Sequence, residues 1–205
     1  MATLHIEHPI TDYATWRTAF DSFADARRAA GVRSEQIQQP VDDNQYVVVD
    51  LTFDTAEVAH QFRQFLQANV WSSATSAPGL AGTPHVVVLE TLPVNSGPGP
   101  RGHVTFINLF EVPTGRDEAF LELWEVVNRY MSKKKGYLDH RLHRAHGDAV
   151  YRFVNVAHWA TSQDYADAHD DGFRVLVRQP EWAEFKSTPA LFDTIHEGSS
   201  GLFAW

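Results

Sequence analysis

The run from Tyr151 to Trp159 alternates with the period of two that a β-strand imposes, so Tyr151, Phe153, Asn155, Ala157 and Trp159 share one face. Val154, Val156 and His158 take the other. An amide is thereby set among aromatics. Tyr165 follows about one turn into the next helix, with His169 a further turn along the same face. If that strand face looks toward the helices, the result is an aromatic pocket with few polar groups, which suits a flat, apolar ligand. The same pattern also reads as packing, with Trp159 and Tyr165 as core aromatics and Asn155 capping a loop. Asn108 repeats the arrangement, because Phe106, Asn108 and Phe110 share a face of another strand. An amide between two phenylalanines must find a partner or remain costly, and either a ligand or a neighbouring helix or loop could supply it.

Other spacings carry less chemistry. His140, His143 and His146 would share a face on a helix, but on a strand alternation sends His143 away from the other two and leaves His146 in the turn. A three-ligand metal site is not expected there. His169-Asp170-Asp171 reads as a solvated helix edge. No phosphate-cradling glycine loop, dinucleotide fingerprint or serine-centred elbow is present, and with no cysteine there is no thiolate nucleophile, disulfide or iron–sulfur site.

The elements that must position these residues occur twice. The chain has 205 residues, 43% of them hydrophobic, with 13 Phe, 6 Tyr and 6 Trp, enough for two small cores. A Pro, Gly and Ser cluster at 93–102 reads as an exposed linker between a module at 1–92 and a second at 103–205, the latter ending in a tail. Each half starts with a strand (around Leu4 and Ile6, and Val104 to Val112) and a helix ending at a glycine, Gly31 or Gly136. A hairpin follows in each, and the interval from Gly31 to Phe53 nearly equals that from Gly136 to Trp159. Asp54 with Glu57 and Thr161 with Asp164 resemble capping boxes opening a second helix. Thr83-Pro84 and Thr188-Pro189 then introduce the last strand.

The order β-α-β-β-α-β is the ferredoxin-like arrangement, an antiparallel sheet with both helices on one face. Two such sheets can cover each other, so the expected fold is α+β, two tandem ferredoxin-like modules forming a dimeric α+β barrel. The barrel can close within one chain, or between two chains as a homodimer. A net charge of −9 and the lack of extended basic runs speak against nucleic acid and anionic membrane surfaces as partners. With no signal-like start or membrane-length apolar segment, the expected location is cytoplasmic.

At Val154-Asn155-x-Ala157-x-Trp159-x-x-x-x-x-Tyr165 the second half resembles the antibiotic biosynthesis monooxygenase family, over roughly His103 to Gly198 and including Phe106-Ile107-Asn108-Leu109-Phe110, Gly115 and Gly136-Tyr137. The resemblance implies an oxidoreductase that uses dioxygen on an anthrone- or phenol-like polycyclic substrate of secondary metabolism, without metal or flavin cofactor. In cofactor-independent members the strand asparagine and tryptophan and the helix tyrosine form the substrate pocket, roles that would fall to Asn155, Trp159 and Tyr165. Their late-helix arginine would correspond to Arg178, handling protons and peroxide together with Tyr165. Phe106, Asn108, Phe110, Phe153 and His169 would complete the substrate-binding surface. Haem-degrading relatives share the asparagine that Asn108 matches, but Ala168 stands in place of their helical tryptophan and Arg178 in place of their haem-ligating histidine. A ligand-binding module without catalysis is the third reading. The first half resembles the superfamily in layout alone: Asp50, Phe53 and His60 fall near the positions of Asn155, Trp159 and Tyr165, so no working site is expected there.

Overall fold

A computed structural model describes residues 1–93, 104–147 and 149–199. Most of the linker expected at 93–102 lies outside the described residues. The chain divides into two compact units, Met1–Thr91 with Asp193–Trp205, and Leu92–Phe192.

In the first unit, β1 (Ala2–Pro9) leads into α1 (Tyr13–Ser22) and α2 (Ala24–Ala29), followed by β2 (Ser34–Pro40), β3 (Tyr46–Phe53), α3 (Ala56–Phe65) and β4 (His85–Thr91). Asp12 starts α1 by accepting a hydrogen bond from the Thr15 amide at 2.8 Å. Thr55, rather than Asp54, caps α3 through the Val58 amide. Asp54 pairs with Arg33 instead, so the opening foreseen at Asp54 and Glu57 is displaced by one residue. β1 lies antiparallel between β3 and β4, and β2 joins on the far side of β3. The helix-facing side of this sheet, with Leu4, Ile6, Val49, Leu51 and Phe53, packs with Trp16 of α1 and Phe62 of α3 into one apolar core.

The second unit repeats the order: β5 (Val104–Glu111), α4 (Asp117–Met131), β6 (Tyr137–Ala145), β7 (Phe153–Trp159), α5 (Ser162–Ala168), α6 (Asp171–Val177) and β8 (Lys186–Ser199). β7 lies antiparallel between β5 and β6, and β8 runs beside β5. Its residues up to Phe192 belong to this unit. Each unit is thus a ferredoxin-like α+β module. Thr188-Pro189 lies within β8, which starts earlier, at Lys186, instead of being introduced by that pair.

One expected helix is two. Thr161 caps α5 through the Asp164 amide at 3.0 Å, and the chain leaves helical geometry at His169 before Asp170 caps α6 through Phe173. Asp170 also accepts hydrogen bonds from Tyr130 and Lys134 at 2.6 Å each, which ties the break to the end of α4. Gly172 permits that approach, because a Cβ there would collide with the Tyr130 hydroxyl. Apolar packing around this sheet is shared between two clusters, one of Phe110, Phe120, Trp124, Leu142, Phe153 and Phe185, the other of Val104, Met131, Trp159 and Ala168. Among the described residues, no helix is long and apolar enough to cross a membrane.

Candidate active site

Alternation along β5 and β7 turns Asn108 and Asn155 toward the helices, and the strand register sets them directly opposite each other. Trp159, two alternations further along β7, is opposite Val104. These side chains border a cavity of about 420 Å³ with residues from both apolar clusters in its walls. That volume is within the roughly 300–1,000 Å³ of small-molecule sites. Phe110, Trp182 and Phe185, which pack together, give the cavity apolar lining. Among the described residues, no Asp, Glu, Lys or Arg lines it.

Three buried polar atoms at this cavity have no hydrogen-bond partner among the described residues: Asn108 Oδ1, Asn155 Oδ1 and Trp159 Nε1. Native interiors leave few such atoms, since each costs about 1–3 kcal/mol when unsatisfied. Here they border one space. The Trp159 indole meets Tyr137 and Tyr165 edge-on, with ring centroids 5.2 and 5.8 Å away. Tyr165 also packs against Phe106 at 5.0 Å and against His169 at 4.4 Å.

Burial raises the Tyr165 phenol to about 12, and it raises Tyr137 further, assisted by the nearby Asp139 carboxylate. Both therefore stay protonated near neutrality, able to donate but not to take a proton. Tyr137 donates to Asn128 Oδ1 at 3.3 Å, and the Asn128 amide contacts His140 Nε2 at 3.1 Å. His140, which does not itself line the cavity, is thereby engaged by Asn128, and burial lowers its pKa. Among the described residues, no group of three or more His, Asp or Glu could hold a metal ion.

Most of the residues singled out from the sequence meet at this cavity: Phe106, Asn108, Phe110, Asn155, Trp159, Tyr165 and His169 all line it. Phe153 does not, because Phe120 stacks on it at 4.7 Å and buries it completely. Arg178 does not either. It is the exposed residue that ends α6, and the break at Asp170 gives α6 its own start, so counting along one continuous helix misplaces it. Trp124, Val127 and Met131, at helical spacing on α4, also line the cavity. Trp182 and Phe185 were missed; two aromatics three residues apart after Pro180 were the available signal.

The first unit shows what the same positions look like without a site. Ile6 pairs with Val49 where Asn108 pairs with Asn155, and Phe53 ends its strand as Trp159 does. Ala59 stands four residues after the cap Thr55, as Tyr165 stands after Thr161. Val49 and Ala59 thus replace Asp50 and His60 in the correspondence, since Asp50 faces away from these helices. All four counterparts are apolar and at most 5% exposed, and the cavity beside this sheet is only about 70 Å³.

A family model described as antibiotic biosynthesis monooxygenase matches residues 103–185. Among solved structures, an anthrone oxidase-like protein aligns over 98% of this chain and 93% of its own, with 14% identity and a TM-score of 0.66. A monooxygenase-like protein from Listeria innocua aligns over 95% and 94%, with 9% identity and a TM-score of 0.52. These likenesses are of fold. A provisionally named monooxygenase from Shewanella loihica is 33% identical over 48% of this chain and 99% of its own, with a TM-score of 0.39. No curated protein matches the chain.

Proposed function

The chain belongs, through residues 103–185, to the antibiotic biosynthesis monooxygenase family, and on that premise we propose that its second unit is a cofactor-independent monooxygenase for an uncharged polycyclic aromatic of the anthrone or phenol type. The observation that carries this reading is the set of three polar atoms without a partner among the described residues, Asn108 Oδ1, Asn155 Oδ1 and Trp159 Nε1, around an aromatic cavity that no described Asp, Glu, Lys or Arg lines.

An anthrone can supply the electrons itself. Loss of a proton from its methylene carbon gives an extended enolate that can reduce dioxygen, and the net change is CH2 + O2 → C=O + H2O. The protein must then bind a flat ring system, stabilise the enolate oxygen and move protons. The Trp159 N–H, the donor among the three orphan atoms, hydrogen-bonds that oxygen. Asn155 and Asn108, opposed across two strands, engage the ring hydroxyls or carbonyls, and the protonated Tyr165 donates a hydrogen bond to the peroxide while keeping its own proton. Arg178, exposed and away from the cavity lining, takes no part. The haem alternative lacks support at two positions, the small buried Ala168 and the exposed Arg178. Nor, among the described residues, does a Lys or Arg line the cavity to receive propionates.

The test is dioxygen consumption by chelator-treated protein supplied with anthrone under labelled dioxygen. One labelled oxygen should enter the quinone and the other should leave as water, without added metal or reductant. Uptake that requires flavin or haem, or unlabelled quinone, refutes the reading.

A further inference from the structure

The reaction needs a proton acceptor, and the ionisable side chains lining the cavity are Tyr137, Tyr165 and His169. We propose that His169 is the base of this site: its Nδ1–H is tied to the Tyr165 carbonyl at 2.7 Å, which leaves the Nε2 lone pair for the substrate. This assignment rests on the monooxygenase reading. A carbonyl only accepts, so the proton of the neutral imidazole must sit on Nδ1. Nε2 makes no hydrogen bond among the described residues. Tyr165 and Phe173 hold the ring from either helix, with centroids 4.4 Å away in both cases.

The surrounding groups leave this role to His169. Tyr137 on β6 and Tyr165 on α5 are phenols kept protonated by burial. The adjacent Asp170 carboxylate is taken up by Tyr130 of α4, by Lys134 just after that helix, and by the Phe173 amide. His140 accepts or donates through Asn128 in the far wall. His158 is bound to Asp139 on the opposite face of β7. The break between α5 and α6 is what exposes the ring: His169 ends α5, where its Nδ1–H can reach the carbonyl one turn back.

The proton balance closes on one imidazole. Nε2 takes H⁺ from the substrate methylene, and the C–H electron pair stays in the enolate, which passes electrons to dioxygen and forms a C–O bond. The imidazolium protonates the resulting peroxide anion. Nε2 then takes the second proton from the same carbon as the O–O bond breaks, and the departing hydroxide collects it as water.

His169→Asn places an amide nitrogen close to the position of Nδ1, keeping the donor to Tyr165 while deleting Nε2. Mixed with anthrone under anaerobic conditions, the parent protein should show the absorbance of the bound anthrone anion and His169→Asn should not, although both melt alike and bind the ligand. In air, the variant should turn over at least about a hundredfold more slowly. It should lose the acidic limb of the parent's pH–rate profile, and added imidazole should restore part of the rate. Anion formation in the parent without dioxygen uptake would refute the monooxygenase reading while the base assignment stands. No anion in the parent, or equal anion and rate in the variant, would overturn the assignment.

Discussion

The pair Asn108 and Asn155 can be converted into its first-unit counterpart, Ile6 opposite Val49, by the double substitution Asn108→Ile with Asn155→Val. Two amide oxygens now buried without partners would be replaced by hydrocarbon beside a cavity of about 420 Å³, which gives the larger isoleucine room. Each unsatisfied amide costs about 1–3 kcal/mol. Water in a cavity of this size offsets part of that, so the low end applies, for a gain of about 2 kcal/mol from the pair. The two sites touch, so the double variant is the relevant measurement rather than a sum of singles. For a chain of this length each kcal/mol moves the melting temperature by about 2–4 °C, and the variant should melt about 4–8 °C higher. The amides hold the ring substituents that orient the substrate, and misplacing the reacting carbon by about 1 Å can cost about 10²-fold, so turnover of anthrone should fall by about that much. Calorimetry and oxygen uptake on the same preparations read both effects. An equal or lower melting temperature, or unchanged turnover, would show that the amides already have partners and are packing groups.

Trp159→Phe keeps an aromatic between Tyr137 and Tyr165 and deletes the N–H that binds the enolate oxygen, so kcat should drop about a hundredfold to a thousandfold with a melting shift of a few degrees at most; a rate within twofold of the parent would remove the indole from the chemistry. Arg178→Ala should leave both stability and turnover within about twofold, because the side chain is exposed and outside the cavity lining; a large loss of turnover would return the arginine to the site. In the first unit, burial alone would lower the pKa of His5, but Asp50 at 2.6 Å and Glu7 at 3.0 Å outweigh it and hold it at about 10. The folded value lies above the ordinary 6.5, so this contribution is complete below about pH 6.5 and fades as pH rises toward 10. Urea unfolding of the parent should show that decline and His5→Gln should not; parallel pH profiles would refute the pairing.

The strand around Asn155 is legible from sequence because alternation is local: Asn155 and Trp159 must share a face whatever the strand packs against. The second helix is legible through Thr161, whose hydroxyl caps it where the sequence indicates. Counting residues from Gly31 and Gly136 likewise brings Phe53 and Trp159 to equivalent strand ends, since hairpin geometry ties sequence distance to register.

Beyond these local periods, tertiary structure decides. Asn108 meets Asn155 only through the pairing of β5 with β7, and in the first unit that register selects Ile6 and Val49 over Asp50. A one-residue error on a strand reverses the face, which is why a plausible counterpart for Asn155 was assigned to the wrong side. Arg178 is exposed because the helix breaks at His169 and Asp170 begins another, held by Tyr130 and Lys134 at and just beyond the end of α4, distant in sequence. Phe153 shares the face of Asn155 yet is closed off by Phe120, a residue on another element. Alternation and capping act within a few residues and are written in the order of the chain. Whether a stripe of aromatics becomes core or cavity depends on which other stripe reaches it, and only the packed structure settles that.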